Sequence, residues 1–335
     1  QNWTILSPDL TTNDTFKING AKRSGGLTPD VTNAENHCTI LAIAPSPTDK
    51  NVIWASTDDG NIQITTDGGK KWTNLIGNIS GAPKYAWIPQ IEVTKNAGEA
   101  FIVVNNYRQN DWKPYVFHTT DFGKTWQRIV NETQMNTFTL SFTCDSQVPN
   151  LWFLGTDNGL FISMDYGKNW NKWMNGYPSV PTMDMKIHPA TNDLVIATFG
   201  RAFYILDDIQ FLRDIAKSNA QNLKSELAIS KPADAYLAYD RSFNGERFNA
   251  SAIYEGKNKS ADALITVWNN SKKVDSTTVK KDAAKTDKKE DDAKKTMLYV
   301  ISKSNDTLRK IKITLDSGMN RIGWDLHKRG PKYPS

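Results

Sequence analysis

The chain has 335 residues, of which 39% are hydrophobic, and this length predicts about two domains of roughly 100–200 residues each. No apolar run approaches the roughly 18–20 residues that a membrane-spanning helix needs, so we expect no membrane span. The formal net charge is only +5, and residues 271–296 alone carry nine Lys against six acidic residues, so the nearly neutral remainder argues against a nucleic-acid partner.

The first predicted element is a single strand in "QNWTILSPDL". This stretch is similar to "KNWNKWMNG", which begins at Lys168 inside a later repeat unit. We therefore expect Trp3 to end a repeat motif whose other strands lie elsewhere, on the same chain or on another chain.

Three similar units follow, and each carries the motif Ser/Thr-x-Asp-x-Gly-x-x-Trp. The motif occurs at Thr65–Trp72, Thr119–Trp126 and Ser163–Trp170, so its tryptophans are spaced by 54 and 44 residues. Four short alternating strands per repeat of roughly 45 residues are typical of a β-propeller blade. A fourth unit, Thr182 to Asp208, has three strands and lacks the motif, so we predict that the array ends there.

The predicted fold class is all-β, with about four propeller blades plus an orphan strand in residues 1–210. Because propellers with this motif need about six or more blades to close, we expect further blades from the same or another chain. Residues 211–232 read as a helical connector, and residues 233–335 show about six alternating strands, which predict an immunoglobulin-like β-sandwich. Within that sandwich, residues 271–296 have almost no apolar side chains and are predicted to be a disordered insert.

The repeated motif has residue types that suit a structural turn. An Asp can accept hydrogen bonds from the next backbone N–H groups, a Gly permits positive φ, and a Trp can bury a large ring between blades. The alternative is a calcium site, but one carboxylate per copy is too few for a calcium loop. The residues interpreted as structural are Asp67, Gly69, Trp72, Asp121, Gly123, Trp126, Asp165, Gly167 and Trp170.

These three copies resemble the Asp-box (BNR) repeat of sialidases, xyloglucan-active glycosidases and sortilin/Vps10 propellers. Stretches such as "IWASTDDG", "ATFGRAFYILDDI" and "GMNRIGWDL" are similar to the C-terminal half of large secreted bacterial proteins of the glycosyl-hydrolase-like and sortilin-like type. The resemblance implies a location in the periplasm, at the cell surface or outside the cell. It implies a fold and no particular activity, because unrelated functions share such folds.

The order of strands in a blade separates two faces. If the first strand of each blade lies at the axis, the motif turns share one face, and the turns between second and third strands lie on the other face. The side chains expected to bind a ligand on that second face are Trp87, Tyr107, Arg108, Asp111, Trp112 and Arg201. Aromatic rings together with charged side chains suit a glycan or a peptide, so we expect a binding module that uses this face.

The alternative is a glycoside hydrolase, which needs two carboxylic acids flanking the scissile bond. The candidates are Asp58 or Asp59 paired with Asp157, although the same "TDDG" and "TDNG" sequences suit ordinary turns. Neither the histidines nor the two cysteines show metal-ligand spacing, so we expect no metal and no cofactor. The residues leave open whether the protein is an enzyme, and a binding module ranks ahead of a glycosidase.

Overall fold

The computed structural model of the protein describes residues 3–28, 31, 36–237, 262–270, 296–328 and 330. Strands in antiparallel sheets dominate these residues, and helices are few. The chain divides into two compact units, Gln1–Asn219 and Ala220–Ser335. The boundary between the units therefore falls after the first part of the predicted connector.

The first unit contains three four-stranded antiparallel sheets, in which neighbouring strands follow one another along the chain. The first sheet is β1 (Ile40–Pro45), β2 (Ile53–Thr57), β3 (Ile62–Thr65) and β4 (Thr73–Asn74). The second sheet is β5 (Trp87–Val93), β6 (Ala100–Asn106), β7 (Asp111–Thr119) and β8 (Gln127–Arg128). The third sheet is β9 (Thr139–Cys144), β10 (Trp152–Thr156), β11 (Gly159–Ser163) and β12 (Asn171–Lys172).

A fourth sheet has three strands, β13 (Thr182–Ile187), β14 (Leu194–Thr198) and β15 (Phe203–Leu206). The first strands of successive sheets lie side by side, and side-chain hydrogen bonds join β5 to β9 and β9 to β13. For example, Gln90 of β5 donates to the carbonyl oxygen of Phe142 in β9 at 3.1 Å and accepts from its N–H at 2.7 Å. This arrangement is that of consecutive blades in a β-propeller, and the four sheets are called blades 1 to 4 below.

In blades 2 and 3 the middle strands are buried on both faces because each of these two blades lies between two others. On β6, Ile102 and Val104 belong to the core shared with blade 1, whereas Phe101 and Val103 belong to the core shared with blade 3. Side chains alternate between the two faces of a strand, so a strand with both faces covered is apolar at nearly every position. This is why all seven residues of β6 are buried.

Among the described residues of the first unit, three α-helices accompany the blades. Helices α1 (Thr15–Ile18) and α2 (Gly20–Ser24) precede blade 1, and α3 (Gln210–Lys217) follows blade 4. Short 3-10 helices lie at Ile76–Asn78 and Tyr107–Gln109 in this unit and at Gln221–Lys224 in the second unit. The predicted connector is therefore helical over α3, but α3 belongs to the first unit and buries Phe211, Leu212 and Ile215 there.

The second unit is described only in part. Strands β16 (Leu227–Ile229), β17 (Ala263–Asn269) and β20 (Gly318–Trp324) form one antiparallel sheet, and β18 (Thr296–Ile301) pairs with β19 (Thr307–Ile313). Residues 235–237 have no regular structure, and the strand predicted in residues 247–256 lies outside the described residues. So does the predicted disordered insert, except for Thr296, which begins β18. The immunoglobulin-like sandwich remains a prediction.

Candidate functional site

The three repeated motifs form the same hydrogen-bonded turn. In the first, Thr65 Oγ1 donates to Asp67 Oδ1 at 2.9 Å and accepts from the N–H of Gly69 at 2.9 Å, while Asp67 Oδ1 also accepts from the N–H of Lys71 at 2.9 Å. The same bonds recur around Asp121 and around Asp165. Each carboxylate is therefore occupied by its own turn.

The motif glycines lie very close to neighbouring side chains. All three have positive φ, and a Cβ on Gly123 would lie 2.3 Å from Cδ1 of Leu75, which follows the last strand of blade 1. A Cβ on Gly69 would likewise lie 2.6 Å from Cδ1 of Leu6, in the segment that precedes blade 1. For Gly167, the atom nearest to an added Cβ would be Cζ3 of Trp152, at 2.7 Å. No side chain larger than hydrogen fits these positions without movement of a neighbour.

The motif tryptophans are half-buried and attach each turn to its surroundings. Trp72 donates from Nε1 to the carbonyl oxygen of Leu6 at 3.3 Å, and Trp170 donates to that of Ile129 at 3.3 Å. The ring of Trp126 meets Trp54 of blade 1 edge to face, with centroids 6.1 Å apart. These contacts join neighbouring blades, and within the described residues no cluster of acidic, His or Cys side chains could hold a metal ion.

Asp58 and Asp59 are buried and fully engaged. Asp58 accepts from the N–H of Thr39 at 2.7 Å, and Asp59 accepts from the N–H and hydroxyl of Thr12 at 2.6 and 2.7 Å and from the hydroxyl of Thr57. Burial alone would raise the pKa of Asp59, but these hydrogen bonds outweigh it and hold the pKa below its ordinary value. Both carboxylates tie the segment that enters blade 1 to the turn between β2 and β3.

Asp157 makes the equivalent link in blade 3. It accepts from the hydroxyl of Thr137, and its N–H donates to the carbonyl oxygen of Phe138 at 3.3 Å. Burial raises the pKa of Asp157 above its ordinary value. No contact joins Asp157 to Asp58 or Asp59, so these carboxylates belong to separate hydrogen-bond networks.

Four of the predicted ligand-binding side chains come together at the turn between β6 and β7. The Arg108 guanidinium lies 3.1 Å from the ring centroid of Trp87 and 4.8 Å from that of Tyr107. The Tyr107 ring centroid is 6.2 Å from that of Trp112, and both rings pack against Phe138 at 5.0 and 5.6 Å. We call Trp87, Tyr107, Arg108, Trp112 and Phe138 the aromatic platform.

The backbone of this turn explains why the platform forms. The 3-10 helix Tyr107–Gln109 ends at Asn110, whose φ of 58° is left-handed, and Asn110 Oδ1 accepts from Trp112 Nε1 at 2.9 Å. The Gln109 amide donates to the carbonyl oxygens of Lys84 and Tyr85 at 3.2 and 3.3 Å. The longer turn of blade 2 is thereby fixed to the connection that leads into β5, which brings Trp87 beside Arg108.

The remaining two predicted residues have other positions. Asp111 accepts from Asn106 at 3.0 Å and from the Tyr115 hydroxyl at 2.9 Å, so its carboxylate supports the turn. Burial opposes this charge, but the bonds from Asn106 and Tyr115 hold the pKa of Asp111 below its ordinary value. Arg201 is exposed and lies in a different blade, in the turn between β14 and β15 of blade 4.

Sequence reasoning missed part of this site. Phe138 lies in the connection into blade 3, and nothing in its local pattern indicates that it packs on a turn of blade 2. The sequence places Asn105 and Asn106 at the end of a buried strand, but it does not show that they belong to the site. In the structure both side chains are buried at the base of the platform turn. An Asn pair that ends an otherwise apolar strand was the available signal, since buried amides need hydrogen-bond partners.

Comparisons with known proteins give short or distant similarities. No family model matches the chain. A probable oligoxyloglucan-reducing end-specific xyloglucanase of Neosartorya fischeri is 27% identical over 118 residues, which are 32% of this chain and 14% of that protein. The chain thus matches only a small part of this curated relative's length.

Two solved structures illustrate the structural similarities. The GH74 xyloglucanase from Xanthomonas campestris has a TM-score of 0.42 and 14% identity, covering 52% of this chain and 28% of that one. YCF48 from Cyanidioschyzon merolae has a TM-score of 0.36 and 16% identity, covering 50% of this chain and 53% of that one. Within the residues that the structure describes, no helix is long and apolar enough to cross a membrane.

Proposed function

We propose that the first unit is a β-propeller module that binds a glycan chain on its aromatic platform. The observation that carries this proposal is the stack of Tyr107, Trp112 and Phe138, in which Trp112 remains 54% exposed. Neighbouring rings hold the exposed Trp112 in place, and its indole N–H donates a hydrogen bond to Asn110. The ring is therefore a rigid binding surface. Such surfaces lose little entropy on binding.

A glycan suits this platform because a sugar ring has an apolar C–H face and polar edges. The face can stack on Trp112 or Tyr107, while hydroxyl groups reach polar side chains around the turn. The curated relative of Neosartorya fischeri, a probable xyloglucanase by name, is a glycan-active protein, which agrees with this choice of ligand. A peptide ligand is the other outcome that the experiment below distinguishes.

Binding fits the carboxylates better than hydrolysis does. A glycosidase needs one protonated acid and one free carboxylate at the scissile bond. The raised pKa of Asp157 would suit an acid, but the oxygens of Asp58 and Asp59 accept hydrogen bonds from Thr39 and Thr12 of the segment that enters blade 1. We therefore propose a function without chemistry on this face, and detection of a cleaved product would contradict it.

The test is a glycan array followed by calorimetric titration of the best ligand with the whole chain. We expect Trp112→Ala to weaken binding at least tenfold, about 1.4 kcal/mol, because a central aromatic side chain carries much of the energy of a small interface. Tyr166→Ala is the matched control, since Tyr166 is a 57% exposed aromatic side chain on a motif turn. Equal affinity of wild type and Trp112→Ala for every ligand, or binding of peptides alone, would refute the proposal.

We also propose that the protein acts outside the cytoplasm, in the periplasm, at the cell surface or as a secreted protein. The resemblance of the repeat motifs and their flanking stretches to secreted bacterial proteins supports this location. In the same proposal, further propeller blades on the same or another chain cover the apolar flanks of blades 1 and 4. Ile43, Phe203 and Ile205 on these flanks are each at least 60% exposed.

A further inference from the structure

Two buried amide oxygens beside the platform have no hydrogen-bond partner. Asn105 is 5% exposed and Asn106 is 7% exposed, and the Oδ1 atom of each is unpaired. The amide nitrogen of Asn106 donates to Asp111 at 3.0 Å, so this amide has a fixed orientation. A buried acceptor without a donor is destabilising, so each of these oxygens needs a hydrogen-bond donor that a bound molecule can supply.

Both asparagines line a cleft of about 210 Å³ at the foot of the platform. Its other walls include the rings of Tyr85 and Trp87 and two cationic side chains, Lys17 and Arg108. The Lys17 ammonium lies 5.6 Å from the ring centroid of Tyr85, and the Arg108 guanidinium is held on Trp87. Arg108 makes no ion pair with a carboxylate of the described residues, and among those residues none that lines the cleft is acidic.

The contents of the cleft specify three properties of a ligand. The Arg108 guanidinium, which makes no ion pair with a described carboxylate, favours a negative charge and can bind it with two parallel hydrogen bonds. The unpaired oxygens of Asn105 and Asn106 require hydrogen-bond donors, and an anion such as phosphate offers none when fully ionised. The rings of Tyr85 and Trp87 suit a ligand that has an apolar face.

We infer that this cleft binds an anionic sugar unit of a glycan, a uronate or a sulfated sugar. The carboxylate or sulfate accepts hydrogen bonds from Arg108, the sugar hydroxyls donate to Asn105 and Asn106, and the ring face packs on an aromatic wall. This inference rests on the proposed function, because the charged unit lies in the same chain of sugars that the platform holds. It adds a charge requirement that the platform rings alone do not impose.

The experiment titrates the whole chain with hexagalacturonate, its methyl ester, a sulfated galacto-oligosaccharide and a neutral xylogluco-oligosaccharide. The ester has the same rings and lacks the charge, so it is the matched ligand control. We expect a charged ligand to bind about tenfold to a hundredfold more tightly than the uncharged ones at low ionic strength, the effect of one or two charge-assisted hydrogen bonds. Added salt should reduce this preference.

Three variants test the assignment of residues. Arg108→Gln should reduce the preference for the acid over the ester at least tenfold, and Arg108→Lys should retain part of it. Asn105→Asp places a negative charge beside the bound anion, so it should also reduce the preference. Lys124→Gln removes the same charge from an exposed position on a motif turn and should leave the preference unchanged. Circular dichroism melts establish that each variant is folded.

The outcomes separate this inference from the proposed function. If the acid and the ester bind equally and both are lost in Trp112→Ala, the glycan platform stands and the anionic cleft is wrong. If only the sulfated ligand binds tightly and depends on Arg108, the inference holds with sulfate as the anion. If no glycan of either kind binds, both proposals fail. Tight binding of an acidic peptide in place of the charged sugars would also overturn the inference.

Discussion

At the scale of single residues, the motif aspartates show how a charged side chain can be structural while remaining near solvent. The side chain of Thr125, its N–H and the side chain of Thr119 all donate to Asp121, which lowers its pKa to about 2. Equivalent bonds lower the pKa of Asp67. Burial opposes the charge of Asp165, but equivalent bonds still hold the pKa of Asp165 below its ordinary value. Because the pKa of such a carboxyl group is lower in the folded state than in the unfolded state, its ionised form stabilises the folded state.

These bonds predict a specific loss of stability in acid. The stabilisation by Asp121 should be complete above about pH 4 and should disappear as the pH falls towards its folded pKa of about 2, because the unfolded carboxyl takes up its proton first. We therefore expect Asp121→Ala to lower the melting temperature at pH 7 and to lower it much less at pH 2. Asp121→Asn keeps an acceptor oxygen and should lose less.

Thermal melts monitored by circular dichroism between pH 7 and pH 2 give this comparison. Lys124→Gln serves as the control, since it changes the charge of the same turn and leaves the carboxylate in place. A difference between wild type and Asp121→Ala that stays constant over this pH range would contradict the assigned role of the ionised carboxylate.

At the scale of elements, helix α3 is held by a buried ion pair that crosses between blades. Arg213 is 1% exposed and donates from Nε and Nη2 to Asp145 Oδ2, both at 2.8 Å, and from Nη1 to Asn192 at 2.6 Å. Asp145 lies in the loop between β9 and β10, and Asn192 lies in the loop between β13 and β14. One side chain of α3 thus fixes loops of blades 3 and 4.

Removing one partner of this pair should be costly. We expect Arg213→Met to lower the free energy of unfolding by about 3–5 kcal/mol, because Asp145 would remain buried without a counter-charge. The double variant Asp145→Leu/Arg213→Met should recover much of that loss, since it leaves no unpaired charge in the interior. Urea titrations of the single and double variants measure both values, and a double variant that is less stable than Arg213→Met would contradict the explanation.

The elements also show what the sequence could predict. The strands of all four blades follow from the repeat spacing and from local alternation, which depend on residues close together in the chain. The aromatic platform was predicted in part, because Tyr107 and Trp112 share one long turn. Phe138 and the pair of Asp145 with Arg213 could not be predicted, since residues far apart in the chain meet only through the packing of blades.

At the scale of the whole first unit, equivalent positions differ sharply between inner and outer blades. Leu160 and Ile162 of β11 face blade 4 and are 0% and 2% exposed. Their equivalents on β15, by strand register, are Phe203 and Ile205, which are 73% and 60% exposed. At the other flank, Ile43 of blade 1 is 66% exposed.

Several large apolar side chains exposed on one surface are characteristic of an interface. Phe142, the blade 3 equivalent of Ile43, is 0% exposed because it packs against blade 2. Each flank therefore has the composition of a surface that another blade covers elsewhere in the same unit. This matched difference supports the proposal that further blades, on the same or another chain, pack against both flanks.

Chemical labelling tests that proposal at the level of the assembled protein. We expect Ile205→Cys and Ile43→Cys to react rapidly with a maleimide in the isolated 335-residue chain and at least tenfold more slowly in the protein as assembled in its source organism. The slower reaction follows because a packed blade excludes water and reagent from both positions. Tyr166→Cys is the control, since it lies on a motif turn away from the flanks and should react at the same rate in both samples. Equal rates for Ile205→Cys in the two samples would show that no blade covers β15.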